Sequence, residues 1–277
     1  MSLKVFIFED EAYRQFYPLT HLRPVYALRS GILPLYKRIP KFFAGVEVSL
    51  ICREEIAPMM AEQEPDCPVN ILKRAQGHVL LLNGRLRHPG DLPAQLSKAR
   101  IGTVFTVGHD IAAVYLDEHL LSDIPSLATP EHYARLLADE TTELTTHETT
   151  ARLYNYCWEL MADIEPEIEA DFEFLKPSVV GPDGADRYRG VIIIDPQKVH
   201  VGDRCDLRPG AVLDASGGSI YIGDNCRVES QAAIYGPCYI GHDSVVVAGK
   251  LTGCSVGHTC RVGGEVEESV FQSCVNK

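Results

Sequence analysis

The sequence predicts two kinds of fold in series: an α/β domain with a mostly parallel sheet, then a left-handed parallel β-helix of hexapeptide repeats. Three observations carry this prediction. Short apolar runs of strand length alternate with helical patterns over residues 3–127. An acid-rich helical stretch follows. Beyond it, the period of the apolar pattern changes to six, which suits neither a helix nor a flat strand pair and marks stacked coils.

In chain order, LKVFIF (3–8), VEVSLIC (46–52), VLLLN (79–83) and TVFTV (103–107) read as strands. They are apolar on both faces, as in a parallel sheet covered by helices on either side. GILPLYKRI (31–39) and DLPAQLSKA (91–99) read as helices between them. Thr129-Pro130-Glu131 carries a capping hydroxyl, a proline for the first turn and an acid for the positive helix end. Leu153, Tyr156, Cys157, Leu160, Met161 and Ile164 recur at helical spacing and predict a helix over 148–173. From Asp139 to Glu173 there are eleven acids against one base, Arg152, the pattern of a solvated connector. The expected parts are residues 1–128, a helical connector 129–177, and a β-helix 178–277.

The six-residue register places Val201, Leu207, Leu213, Ile222, Val228, Ile234, Ile240, Val246, Val256 and Val262 inward. Four residues on, eight of those ten positions carry a small side chain: Cys205, Ala211, Gly217, Cys226, Ala232, Cys238, Ser244 and Cys260. Three repeats make one triangular coil. The recurring cysteines then serve as small corner residues rather than ligands, and His200, His242 and His258 fall beside the turns as surface groups.

The formal charge of −12 excludes a general binder of nucleic acid or membrane surfaces. Residues 1–53 depart from that balance, with eight bases against four acids, which suits a small anionic ligand. Nine cysteines with no C-x-x-C pair, no signal peptide and no run of about 20 apolar residues point to a reduced, cytoplasmic protein.

The stretch PLTHLRPVYALRSGILPL (18–35), the Asn-Gly after an apolar strand in LLLNGRL (80–86), and IYIGDN (220–225), GPCYIG (236–241) and VGGEVEESV (262–270) together carry a family resemblance. The chain resembles the bifunctional UDP-N-acetylglucosamine pyrophosphorylases/glucosamine-1-phosphate acetyltransferases, and more closely a divergent branch of sugar-nucleotidyltransferases. The resemblance implies nucleotidyl transfer from a nucleoside triphosphate, with UTP expected, to a sugar 1-phosphate, with N-acetylglucosamine 1-phosphate expected. Pyrophosphate would be released, magnesium would be the cofactor, and the β-helix would form a homotrimer. Charge on the departing pyrophosphate would need fixed cations.

By the same resemblance, Arg14, Arg23 and Lys37 are the expected catalytic cations. Thr20, Arg29, Asn83 and Gly84 are the expected substrate contacts, and the metal ligands stay unassigned, with Asp10 and Glu11 as substitutes for the family carboxylate. Two departures stand out. The family's glycine-rich loop reads EDEAYRQF (9–16) here, and its Gly-Asp reads Gly84-Arg85. The bland alternative pairs Arg14, Arg23 and Arg29 with Glu9, Asp10 and Glu11 to pin the loop. Two other functions stand beside transfer. One is a hexapeptide acyltransferase using acetyl-CoA, whose histidine lies past Lys277 in a chain expected to be truncated. The other is a non-catalytic nucleotide-sugar-binding protein.

Overall fold

The computed structural model describes residues 3–71, 77–117, 145–184 and 187–277. The Thr129–Glu131 cap lies outside them. The chain divides into two units, one of residues 1–28 with 35–157 and one of residues 29–34 with 158–277.

The first unit is built on a sheet whose strands run β1 (Lys4–Phe8), β2 (Glu47–Ile51), β3 (His78–Asn83), β5 (Thr103–Val107), β6 (Asp110–Asp117) and β7 (Thr145–Glu148) along the chain. A short β4 (Leu86–His88) pairs with β8 (Arg152–Leu153) outside it. The spatial order is β2-β1-β3-β6-β5-β7. β1 is parallel to both β2 and β3, and β5 is parallel to β7. β6 is antiparallel to β3 and β5, turning back from β5 at Gly108, whose φ of +59° suits a residue without Cβ. That strand, DIAAVYLD, is not among those expected: its acidic ends mask a short apolar middle.

Alternation along β1 buries both faces. Val5 and Ile7 join Leu80 and Leu82 in the larger core, while Phe6 and Phe8 are buried on the other side. Burial of this kind contributes roughly 1.5–3 kcal/mol per large aliphatic side chain. Register places Phe8 beside both Ile51 and Asn83. Three strand ends therefore lie abreast, and the residues that leave them share one edge.

The helix expected over 31–39 begins later. Residues 35–38 form one 3₁₀ turn that continues into α1 (Ile39–Phe42). Pro34 disfavours a helical conformation at Leu33, and the backbone before it is bonded elsewhere. Asp171 accepts from the backbone N–H groups of Ile32 and Leu33, both at 2.8 Å, and Ser255 donates to the Gly31 carbonyl at 2.6 Å. Gln272 brackets Arg29, accepting from its N–H and donating to its C=O. The GIL segment thus forms a strap within the second unit. α2 (Ala57–Gln63) and α3 (Leu92–Leu96) complete the first unit's α-helices among the described residues.

The helix expected over 148–173 is shorter than predicted. Leu153 is a buried β8 residue paired with Leu86, Tyr156 and Met161 are exposed, and only α4 (Glu159–Ala162) and α5 (Ile164–Leu175) are helical. The working stripe is Leu160, Ile164 and Ile168, all buried at a spacing of four. Ile164 and Ile168 pack with Ile32 and Tyr239.

From Ile192 the second unit is a parallel β-helix. The inward aliphatics named above line its core, with Val201 and Leu207 partly buried at the first coil. Val199 lies opposite Ile220, Ile220 opposite Cys238, and Cys238 opposite Cys254, so the coils shorten along the chain. Arg204, Asn225, Asp243, Thr259 and Cys274 occupy left-handed corners with φ between 55° and 58°. Arg204 donates to Asn225 at 2.6 Å and Asn225 to Asp243 at 3.0 Å, a polar ladder on the outside. Coils meet so closely at Gly241 that a Cβ there would lie 2.5 Å from the Gly257 carbonyl carbon. Burial pushes the thiols of Cys238, Cys254 and Cys260 up, in keeping with a packing role.

Candidate functional site at the carboxyl edge of the first sheet

In open α/β sheets ligands bind beyond the carboxyl ends of the strands. Here the chain leaves β2 as Cys52-Arg53, β1 as Glu9-Asp10 and β3 as Gly84-Arg85. The two acids of the middle strand are shared between its neighbours. Glu9 takes Arg53 on one side, Oε2 to Nε at 3.1 Å. Asp10 takes Arg85 on the other, with Nε–H at 2.9 and 3.0 Å from its two oxygens and Nη2 at 2.6 Å. Because β6 runs antiparallel beside β3, its amino end lies at this edge too, and Asp110 approaches Arg85 Nη2 at 3.2 Å.

Arg85 is fully buried, and every guanidinium nitrogen is engaged. Nη1 donates to the Tyr154 carbonyl at 2.9 Å and to Asn155 Oδ1 at 3.0 Å. Burial opposes its charge, but the hydrogen bonds and charges of Asp10 and Asp110 outweigh that and raise its pKa. Burial pushes the Glu9 carboxyl up from 4.5 to about 7, against the pull of Arg53 and the Val25 N–H, which donates to Oε1 at 2.9 Å.

Arg53 also holds the PLT loop. Its Nη2 donates to the carbonyls of Thr20 (2.6 Å) and Arg23 (3.2 Å), and its guanidinium sits 4.0 Å from the Tyr13 ring centroid. Residues 11–16 form a 3₁₀ helix that buries Tyr13 and Phe16. The buried Thr20 hydroxyl donates to the Tyr13 carbonyl at 2.8 Å.

The expected site residues fall into four groups. Thr20, Asn83 and Gly84 lie in the network as supports. Asn83 donates to Asp10 and to the Ile111 carbonyl, each at 2.8 Å, and accepts from the Arg85 N–H. A Cβ on Gly84 would meet Tyr26 at 2.7 Å and the Phe8 carbonyl at 2.9 Å, so the strand end closes only on glycine. Arg14 and Lys37 carry exposed charges, Arg14 paired with Glu11 and Lys37 Nζ 3.0 Å from Glu64. Arg23 is half-buried and lends its carbonyl to Arg53. Arg29 belongs to the second unit, where it donates to the Ile32 carbonyl and lies over Tyr239, outside this network.

Of the pairings in the bland alternative, Arg14–Glu11 forms, whereas Glu9 and Asp10 take Arg53 and Arg85 instead. Sequence reasoning passed over Arg53 and assigned Arg85 no role. Each is a base placed one or two residues beyond the end of an apolar strand, and that is the signal that could have found them.

The magnesium implied by the resemblance fits poorly at this edge. Both Asp10 oxygens accept from Arg85, Asp110 shares that cation, and no group of three His, Cys, Asp or Glu able to hold a metal occurs among the described residues. A separate cavity of about 470 Å³, lined in part by Lys98, Arg100, Phe105 and His147, includes none of the strand-edge residues. No helix among the described residues is long and apolar enough to cross a membrane.

Residues 5–178 match the model of a family described as sugar nucleotidyl transferases. The chain belongs to that family. No curated protein matches it. A solved structure from Bacillus anthracis, provisionally assigned as a glucose-1-phosphate thymidylyltransferase and bound to sucrose, superposes with a TM-score of 0.34 at 12% identity. The match covers 66% of this chain and 99% of that one.

Proposed function

We propose that this member of the sugar nucleotidyl transferase family binds a nucleoside triphosphate and a sugar 1-phosphate at the carboxyl edge of the first sheet and joins them. A sugar-phosphate oxygen attacks the α-phosphorus, the bond from that phosphorus to the bridging oxygen breaks, and pyrophosphate leaves with the electron pair. The observation that carries this is the alignment of three parallel strand ends, at Ile51, Phe8 and Asn83, with charged residues following each. The family match over residues 5–178 supports it. UTP and N-acetylglucosamine 1-phosphate, taken from the resemblance to the bifunctional pyrophosphorylases, are the first pair to test.

In this reading Arg14, Arg23 and Lys37 face the phosphates, and Thr20, Asn83 and Gly84 hold the loop and strand end that shape the site. The proposed parts are a transfer domain 1–128, a connector 129–177 whose β7 and β8 pair with β5 and β4 of the first unit, and a β-helix 178–277 that assembles a cytoplasmic homotrimer.

A second reading, non-catalytic binding of a nucleotide-sugar, is favoured by one observation. The loop's acids Glu9, Asp10 and Glu11 are each already neutralised by an arginine of this chain. Pyrophosphate release, with four nucleoside triphosphates crossed against a panel of sugar 1-phosphates with and without Mg²⁺, separates the two. Release from one pairing, lost in Arg23→Ala, supports transfer. Silence across the panel, with saturable nucleotide-sugar binding, supports the second reading.

A further inference from the structure

We propose that the Arg85 guanidinium is the resident cation of the strand-edge site, standing between Asp10 and Asp110 where a divalent ion would otherwise be held.

Four oxygen-bearing groups converge on this side chain: the Asp10 and Asp110 carboxylates, the Asn155 amide oxygen and the Tyr154 carbonyl. Such a set of hard oxygen donors is what Mg²⁺ or Mn²⁺ takes. Asp10 and Asp110 each place an oxygen within 3.2 Å of the same nitrogen, Nη2, so the two carboxylates are close enough to share one ion. Asp110 is half-exposed and gives that position access to water.

The guanidinium fills the set from within the fold. Its five N–H groups match the acceptors offered, and it is wholly buried, so it has no donor left for a ligand. A divalent ion arriving beside it would meet a fixed positive charge and carboxylates already neutralised. Arg85 therefore acts as a positioning residue: it ties the ends of β1 and β3, the start of β6 and residues 154–155 to one another. A metal does this in other proteins at the cost of depending on its supply.

One consequence concerns the ligand and rests on the function proposed above: nucleotide binding at this edge does not depend on Mg²⁺. The role of Arg85 itself does not rest on that reading.

The test is Mn²⁺ titration of the full chain followed by electron paramagnetic resonance, on the wild type, Asp110→Asn, Arg85→Ala and Arg85→Ala/Asp10→Asn. The wild type is expected to show no tight Mn²⁺ site that Asp110→Asn abolishes. Arg85→Ala is expected to gain a single site that the added Asp10→Asn removes. A tight wild-type site lost in Asp110→Asn overturns the proposal even if Arg85→Ala fails to fold, and so does a folded Arg85→Ala that gains none.

In parallel, UTP binding is measured by calorimetry in Mg²⁺ and in EDTA. Affinities equal within about twofold are expected, and loss of binding in EDTA contradicts metal independence. Absence of UTP binding in both buffers counts against the proposed function alone, leaving Arg85 to be judged by the Mn²⁺ arm.

Discussion

The β-helix and the α/β unit both rest on parallel strands, but their decisive contacts join the chain over different distances. In the β-helix Ile220 meets Cys238 and Arg227 meets Val245, one coil on, and the same relation recurs along the unit. At the first unit's strand edge Glu9 meets Arg53 across 44 residues and Asp10 meets Arg85 across 75, each once. Repetition spreads stability over many equivalent contacts, whereas the strand edge concentrates it in a few charged ones.

If that contrast holds, Arg85→Ala is the most damaging of these single changes. It leaves two carboxylates beside an empty buried position, a class of change that costs about 3–5 kcal/mol. Chemical denaturation of the variant measures this, and a double-mutant cycle with Asp10→Asn should recover much of the loss. A fully additive cycle would break the comparison.

Ile222→Ala in the β-helix core should cost about 2–5 kcal/mol, from lost burial and the cavity left behind. Its effect should stay with neighbouring coils. Hydrogen exchange that rises at residues 199–246 while 4–8 and 78–83 keep their protection would show this. Uniform loss of protection would argue against separate behaviour of the two units.

The Glu9–Arg53 pair sharpens the comparison through pH. The folded state holds the Glu9 proton up to about pH 7, whereas an ordinary carboxyl releases it near 4.5. Between those values the native state binds more protons than the unfolded one, so stability falls as pH rises through the window. The full shift corresponds to about 3 kcal/mol. Melts at pH 5 and pH 8 should show the wild type losing stability relative to Glu9→Gln, and parallel curves would rule this contribution out. Arg14→Ala should be the mildest change, since its pairing with Glu11 is on the surface and such pairs add little. An unchanged melt with weaker UTP binding is the expected result.

The same contrast explains what the sequence revealed. The β-helix was legible because its contacts follow a fixed six-residue period, so Ile222, Val228 and Ile234 announce themselves by position. β1, β2 and β3 were legible as apolar runs. β6 was not, since its charged ends interrupt the run, and GILPLYKRI read as helix because nothing local reveals that Asp171 binds the backbone of Ile32 and Leu33. At the candidate site Asn83 and Gly84 stood out as a dipeptide following an apolar strand. Arg53 passed as one base among eight and Arg85 only as a departure from the family's Gly-Asp, because their burial depends on strands brought together from distant parts of the chain.

The most direct test of the account is hydrogen–deuterium exchange of the full chain with and without UTP. New protection is expected in residues 8–25, 51–53 and 83–86, on peptides from three adjoining strand ends and the loop that Arg53 holds. Saturable UTP binding with protection confined to residues 199–277, and none at the strand edge, would contradict it.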